Sequence, residues 1–322
     1  MPYRKTICQL LTAVCFGFVP GLKVENSQIP GYDARFHAFD YNRLRAQLNI
    51  DHDLHPNFTA TVIVDNESYL KSVSGSLENR ISLYRGYVEY LGENHSWIIG
   101  KQRIPLGVGQ FWNPIDVFNP INIEAVEPDE RPGTETIRYE YGITSLSNLD
   151  VNVAEGKGAI RVKGYLDFAD IALLGLWDDD YGFDIIGWEL EGELGTTGIE
   201  LRSEGGSFRE HQSGERHIEC IIGAEYGFAN SLTLSGEYYF IDVSGSDMLG
   251  FSARFRPVML LSCSFTSVFT TDDGSGFVSP VIEYSLSDEM TLSGGLFWYF
   301  GSDTSLLGTG YDRVYLRWFI NF

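Results

Sequence analysis

Segments of about ten residues that alternate polar and apolar side chains recur along this 322-residue chain and continue to its last residue. In 43–51, Leu44, Ala46, Leu48 and Ile50 fall on one side, and Arg43, Arg45, Gln47, Asn49 and Asp51 on the other. At the end, Val314, Leu316, Trp318, Ile320 and Phe322 oppose Arg313, Tyr315, Arg317 and Asn321. A period of two belongs to β-strands whose two faces meet different surroundings. The pattern predicts strands over 32–39, 42–51, 57–65, 80–91, 96–103, 135–142, 148–154, 159–166 and 170–177. It continues over 183–192, 196–203, 217–227, 231–241, 249–256, 258–270, 276–285, 290–300 and 312–322. That makes 18 strands, or 16 if the first pair is a misreading of one element.

A soluble sandwich and a transmembrane barrel both produce half-apolar strands, so the connections have to separate them. Alternate links are short, such as Gly92-Glu93-Asn94-His95 and the bend at Pro257. Most of the others are longer or rich in Asp, Gly and Ser: 66–79, 104–134, 204–216, 242–248 and 301–311. Short turns at one end and variable loops at the other predict an all-β fold, a single antiparallel transmembrane β-barrel. Aromatic residues, 14% of the chain, fall mostly on apolar faces and several lie near strand ends, as interfacial girdles require.

The charge balance excludes a general nucleic-acid surface: 44 acidic residues against 23 basic ones give a formal −21, whereas a phosphate backbone calls for clustered Lys and Arg. Arg4 and Lys5 precede an apolar run over 7–19, the pattern of a bacterial export signal without a clean small-x-small cleavage site, the alternative being a short buried or interfacial segment. The expected organisation is a signal over 1–27 and a barrel over 28–322, in the outer membrane of a Gram-negative bacterium. No apolar run reaches the roughly 20 residues of a spanning helix. Cys8 and Cys15 lie in the signal, and Cys220 and Cys263 are left as either two packed thiols or a disulfide.

One stretch departs from the rhythm: Gly100-Lys101-Gln102-Arg103-Ile104-Pro105, running on through Gly107, Gly109, Phe111, Trp112, Asn113, Pro114 and Asp116 to Asn119-Pro120. It is followed by Arg131-Pro132-Gly133 and by Ile137-Arg138-Tyr139-Glu140-Tyr141-Gly142. These residues resemble a poorly characterised family of Gram-negative outer-membrane β-barrels with a Gly-Arg-Gln-Arg strand end, a Gly-x-Gly-x-Phe-Trp-Asn-Pro-x-Asp loop and a following Arg-Pro-Gly. The match is strongest over 97–142, with a looser likeness to alginate-export and substrate-selective porins. Lys101 stands where the family usually carries its first Arg, so a paired hydrogen-bond role does not transfer. Terminal Phe322 looks like the signal read by the barrel-assembly machinery.

On the barrel reading, Arg43, Arg45, Arg85, Glu89, Arg138, Glu140, Arg161, Lys163, Glu189, Glu191, Arg254, Arg313 and Arg317 line the lumen. They form either a ladder of ion pairs that tightens the wall or solute-binding steps in a pore. Closure brings Arg43 and Arg45 beside Arg313 and Arg317, a positive strip expected to select anions, with the Glu-rich strands of 189–237 opposite. The 104–134 segment, with five prolines, is expected to fold into the lumen as a constriction built from Lys101, Arg103, Gly107, Gly109, Phe111, Trp112, Asn113, Pro114, Asp116, Asn119 and Arg131. Phe111 and Trp112 either anchor the loop to the wall or stack on a passing solute, and Glu124, Glu127, Asp129 and Glu130 add acidity. No nucleotide-binding, metal-binding or nucleophile motif occurs, so no cofactor, metal or catalytic step is expected. The expected partners are outer-membrane lipids and lipopolysaccharide, the assembly machinery and small solutes. The expected function is passive passage of small polar or charged solutes. The rival readings are a closed-lumen structural barrel and a soluble all-β binding module.

Overall fold

The computed structural model describes residues 22–33, 38–50, 56–71, 76–243 and 247–322. These form eighteen strands: β1 (Leu22–Asp33), β2 (Ala38–Ile50), β3 (Phe58–Lys71), β4 (Ser76–Leu91), β5 (His95–Gln102) and β6 (Thr134–Thr144). They continue with β7 (Ser147–Ala154), β8 (Lys157–Leu166), β9 (Ala169–Asp178), β10 (Phe183–Glu193), β11 (Ile199–Glu210) and β12 (Arg216–Gly227). The last are β13 (Leu232–Ile241), β14 (Met248–Val258), β15 (Leu261–Thr270), β16 (Gly276–Ser285), β17 (Met290–Phe300) and β18 (Arg313–Asn321). Each pairs antiparallel with its chain neighbours, and β1 also pairs with β18, with Gln28 opposite Trp318 and Asp33 opposite Arg313. The sheet closes on itself and leaves no edge strand.

The ladders sort the two faces. On the inner side Arg43 sits opposite Glu67 and Arg45 opposite Asp65; on the outer side Leu48 sits opposite Val62. The outer face is apolar and exposed, with Ile81, Leu173, Ile186 and Trp298 among its residues. At one end Trp97 packs against Tyr139, ring centres 4.6 Å apart and planes tilted by 45°, on the outer face near the short turns. A soluble protein does not present such a belt to water, whereas a barrel turned outward to hydrocarbon requires one. The buried apolar residues gather inside the barrel, between the wall and the segment linking β5 to β6. One cluster holds Ile104, Leu106, Ile115 and Phe118 against Leu174, Leu176, Ile185 and Phe208.

The links at the end where β1 begins and β18 finishes are tight, two residues between β8 and β9 and two between β14 and β15. The opposite end carries the long ones, 103–133 and 301–312.

Three boundaries differ from the sequence reading. The first strand, expected over 32–39, is β1 at Leu22–Asp33, so that residues before 28 already belong to the wall; the 16-strand alternative is excluded. Its polar outer positions, Asn26 and Gln28, hide the alternation that the other strands show. Residues 1–21 of the expected export signal lie outside the described residues, as do His37, His52 and His55. The expected loop 66–79 is mostly wall: Glu67, within it, faces inward and accepts from Tyr41 Oη at 2.6 Å. The expected loop 204–216 is strand up to Glu210, because Gly205 and Gly206 mark close packing and not a turn. A Cβ at Gly206 would come within 2.7 Å of the Ile185 side chain. Cys220 and Cys263 are free thiols, on β12 and β15.

Because β1 closes the sheet, a chain lacking 22–33 is expected to lose the faster-migrating, heat-sensitive band of a folded barrel on an unboiled detergent gel. Retention of that band would show that closure does not need β1.

Candidate channel constriction

The link 103–133 enters the lumen as two lobes, and each is tied to a different wall. The first lobe, 104–119, lies against β8–β16. Its base is fixed by Asn119, whose Oδ1 accepts from Ile104 N at 2.8 Å and whose Nδ2 donates to the Pro132 carbonyl at 2.6 Å. Asp116 accepts from the amides of Phe118 and Asn119, at 3.2 and 2.8 Å, and meets Arg131 at 3.5 Å. Burial pushes its carboxyl up to about 6, against the opposing pull of those donors. Burial, together with the neighbouring Arg103, lowers the Arg131 guanidinium.

Three wall carboxylates then take up the lobe's backbone amides. Glu189 accepts from Gly107 N at 2.9 Å. Glu204 accepts from Val108 N, from Gly109 N at 2.9 Å and from Asn113 Nδ2 at 3.2 Å. Glu237 accepts from Gln110, Phe111 and Trp112 N at 2.9, 3.1 and 3.0 Å. Six consecutive amides therefore point at carboxylates on β10, β11 and β13. The chain reaches this shape only through its glycines: Gly107 has φ +82°, and a Cβ on Gly109 would lie 1.8 Å from the Trp112 carbonyl oxygen. Pro114 follows, and Phe111 is buried as part of an apolar cluster that also holds Val268, Phe277, Phe297 and Tyr315, with its ring over Gly250. Burying that ring contributes on the order of 1.5–3 kcal/mol. Trp112 packs on Tyr239, ring centres 5.6 Å apart. Both aromatics are anchored to the wall.

The second lobe, 120–132, faces β17, β18 and β1–β3. Glu124 accepts from Tyr299 Oη at 3.0 Å, and its carbonyl accepts from Arg313. Glu127 pairs with Arg43 at 3.1 Å and Arg317 at 2.6 Å; Glu130 pairs with Arg43 at 3.3 Å and Arg45 at 2.8 Å. Burial works against the charge of Glu130, but Arg43 and Arg45 outweigh it and hold the group below the usual carboxylate range. The expected anion-selecting strip is thus occupied: all four of its arginines are bound by the loop, because the lobe's acidic residues reach the closing strands.

Every expected lining residue has its side chain on the inner face by register. Arg138 and Arg161 share Asp150, at 3.0 and 3.2 Å, and Arg161 also meets Glu189 at 3.3 Å. Glu140 pairs with Arg138 at 3.1 Å and Lys163 with Asp170 at 2.6 Å. Glu89 accepts from Thr59, Arg85 lies by the Tyr84 ring, Glu191 sits opposite Arg202, and Arg254 opposite Thr233 and Ser264. Lys101, opposite Gly86 and Glu135 at the end of β5, donates to the Leu83 carbonyl at 2.8 Å and is among the residues that line the chamber beside Tyr84 and Glu130. Phe322 donates its amide to the Val24 carbonyl at 2.8 Å, across the closing pair. The sequence reading did not connect Glu204 or Glu237 to the loop; an acid at alternating inner positions of neighbouring strands was the only available signal.

No known family profile matches the chain, and no curated protein matches it in sequence. Solved structures do match in fold. OccK5 (OpdH) of Pseudomonas aeruginosa superposes with a TM-score of 0.68 at 8% identity, over 94% of this chain and 96% of that one. OccD3 (OpdP) of the same organism gives 0.58 at 11%, over 95% and 92%. A triple mutant of the Rhodopseudomonas blastica porin gives 0.53 at 8%, over 94% and 99%. The fold is that of porin-like barrels.

Replacing Glu237 with Gln removes the charge from an acceptor of three amides. With hydrogen bonds to charged groups contributing about 1.5–3 kcal/mol each, hydrogen exchange at Gln110, Phe111 and Trp112 is expected to speed up at least ~10-fold while the wall strands stay protected. Unchanged exchange would show that the lobe is held by its apolar contacts alone.

Proposed function

We propose that this chain is an outer-membrane, porin-like channel for passive passage of small polar or charged solutes, with the 103–133 segment as its constriction. The observation that carries the reading is the chamber left between the second lobe and the β18–β4 wall. It has a volume of about 1120 Å³ and is lined by Tyr41, Arg43, Tyr84, Glu127, Tyr299 and Arg313 among others. A barrel built only to be filled has no need of a charged, tyrosine-rich chamber, whereas solutes that exchange hydration for side-chain contacts do. No chemical step belongs to this reading.

Because the loop carboxylates bind the arginines of the closing strands, the passage is not set up for anions. A closed-lumen structural barrel is the second reading, favoured by the loop's attachment to both walls. Single-channel recording separates the two: discrete conductance steps are expected from folded protein, and their absence would overturn the channel. In a tenfold salt gradient, the variant Glu124→Gln, Glu127→Gln, Glu130→Gln frees Arg43 and Arg317 of their loop carboxylates and leaves Arg45 paired with Asp65 alone, and its reversal potential is expected to move towards anion preference. An unmoved potential would mean that these groups do not face the ion path.

A further inference from the structure

The outer wall carries a notch that the passage does not use. Its floor is Gly206 and Ser207 on β11, its sides are Ile186 and Trp188 on β10 and Ile218 on β12, and its volume is about 430 Å³. Trp188 Nε1 already donates to Ser203 Oγ at 3.2 Å, so its ring offers the notch an apolar face. The rim at the long-loop end is formed by Asp184, Arg209 and Arg216.

Arg209 and Arg216 stand directly opposite each other on adjacent strands. Like charges in that position destabilise a sheet. Both are exposed, and among the described residues neither makes an ion pair or a side-chain hydrogen bond. Asp184, across from Arg209 on its other side, has its carboxylate within 3.1 Å of His211 Nε2. Two neighbouring guanidinium forks above an apolar slot are complementary to a phosphate-bearing head group with an attached acyl chain.

We propose that this notch seats one acyl chain of a bisphosphorylated, acylated glycolipid of the outer leaflet, with its phosphates on Arg209 and Arg216. The inference rests on the outer-membrane reading, which puts the long-loop end at the cell surface, but not on conduction. Two side-by-side guanidinium groups favour a bisphosphorylated head over a singly charged phospholipid. The slot selects an acyl chain because its lining is apolar and its floor lacks large side chains.

Native mass spectrometry of the folded barrel in detergent tests this, with lipid A, dephosphorylated lipid A and phosphatidylglycerol as probes. Lipid A is expected to be retained in preference to both others. Arg209→Gln with Arg216→Gln is expected to weaken that retention at least about tenfold, as the loss of two charge-assisted hydrogen bonds implies. Ser207→Trp, which fills the slot and leaves the arginines, is expected to weaken it as well. Equal retention of lipid A and phosphatidylglycerol, or retention unchanged in both variants, would overturn the site. The heat-shifted gel band confirms that each variant is folded, and channel recording is independent of every arm.

Discussion

The arrangement inside this barrel depends on carboxylates of the wall meeting backbone amides of the loop. A carboxylate taken out of bulk water is costly unless hydrogen bonds replace its hydration, and an amide in a lumen crowded by protein has the same need. Glu189, Glu204 and Glu237 accept from six successive amides of the first lobe, although at Glu204 only Oε2 is engaged and Oε1 stays without a partner. Each wall strand is bonded on both sides, which holds these acceptors in place opposite the loop. Glycines at 107 and 109 let the backbone present its donors, and Phe111 and Ile115 add apolar burial on either side.

The second lobe works with the opposite polarity. Here the wall supplies cations and the loop supplies anions, with Glu127 and Glu130 bridging Arg43, Arg45 and Arg317. These arginines come from both sides of the closing seam between β18 and β1–β2. The loop therefore ties down the junction where the chain's two ends meet as well as narrowing the lumen. Asp65 and Asp150 complete the network on neighbouring strands, so the inner charges mostly form paired groups; Arg254 is left exposed.

Much of the fold was legible because alternation is a local property. Leu44 to Ile50 and Val314 to Phe322 announce their faces without knowledge of any partner, and the split between short and long links separated a membrane barrel from a soluble sandwich. The misread parts have physical reasons. Asn26 and Gln28 on the outer side of β1 break the apolar pattern, and Gly205-Gly206 imitates a turn where it serves close packing. The expectation of an inward loop rested on its prolines and glycines, and that of inner charges on the period of two. The pairing of charges was not legible. Sequence placed Arg43 and Arg317 on one strip, but only the folded loop brings Glu127 between them, from 84 residues away in the first case.

The central claim is that 103–133 occupies the lumen and sets the size of the passage. The most direct measurement is single-channel conductance of a chain in which 107–114 is replaced by a short flexible link, compared with the full chain in the same bilayer. The account expects a severalfold larger conductance from the shortened chain, since the first lobe would no longer stand between β10–β13 and the opposite wall. Equal conductance from two equally folded barrels would contradict it and place the narrow point elsewhere.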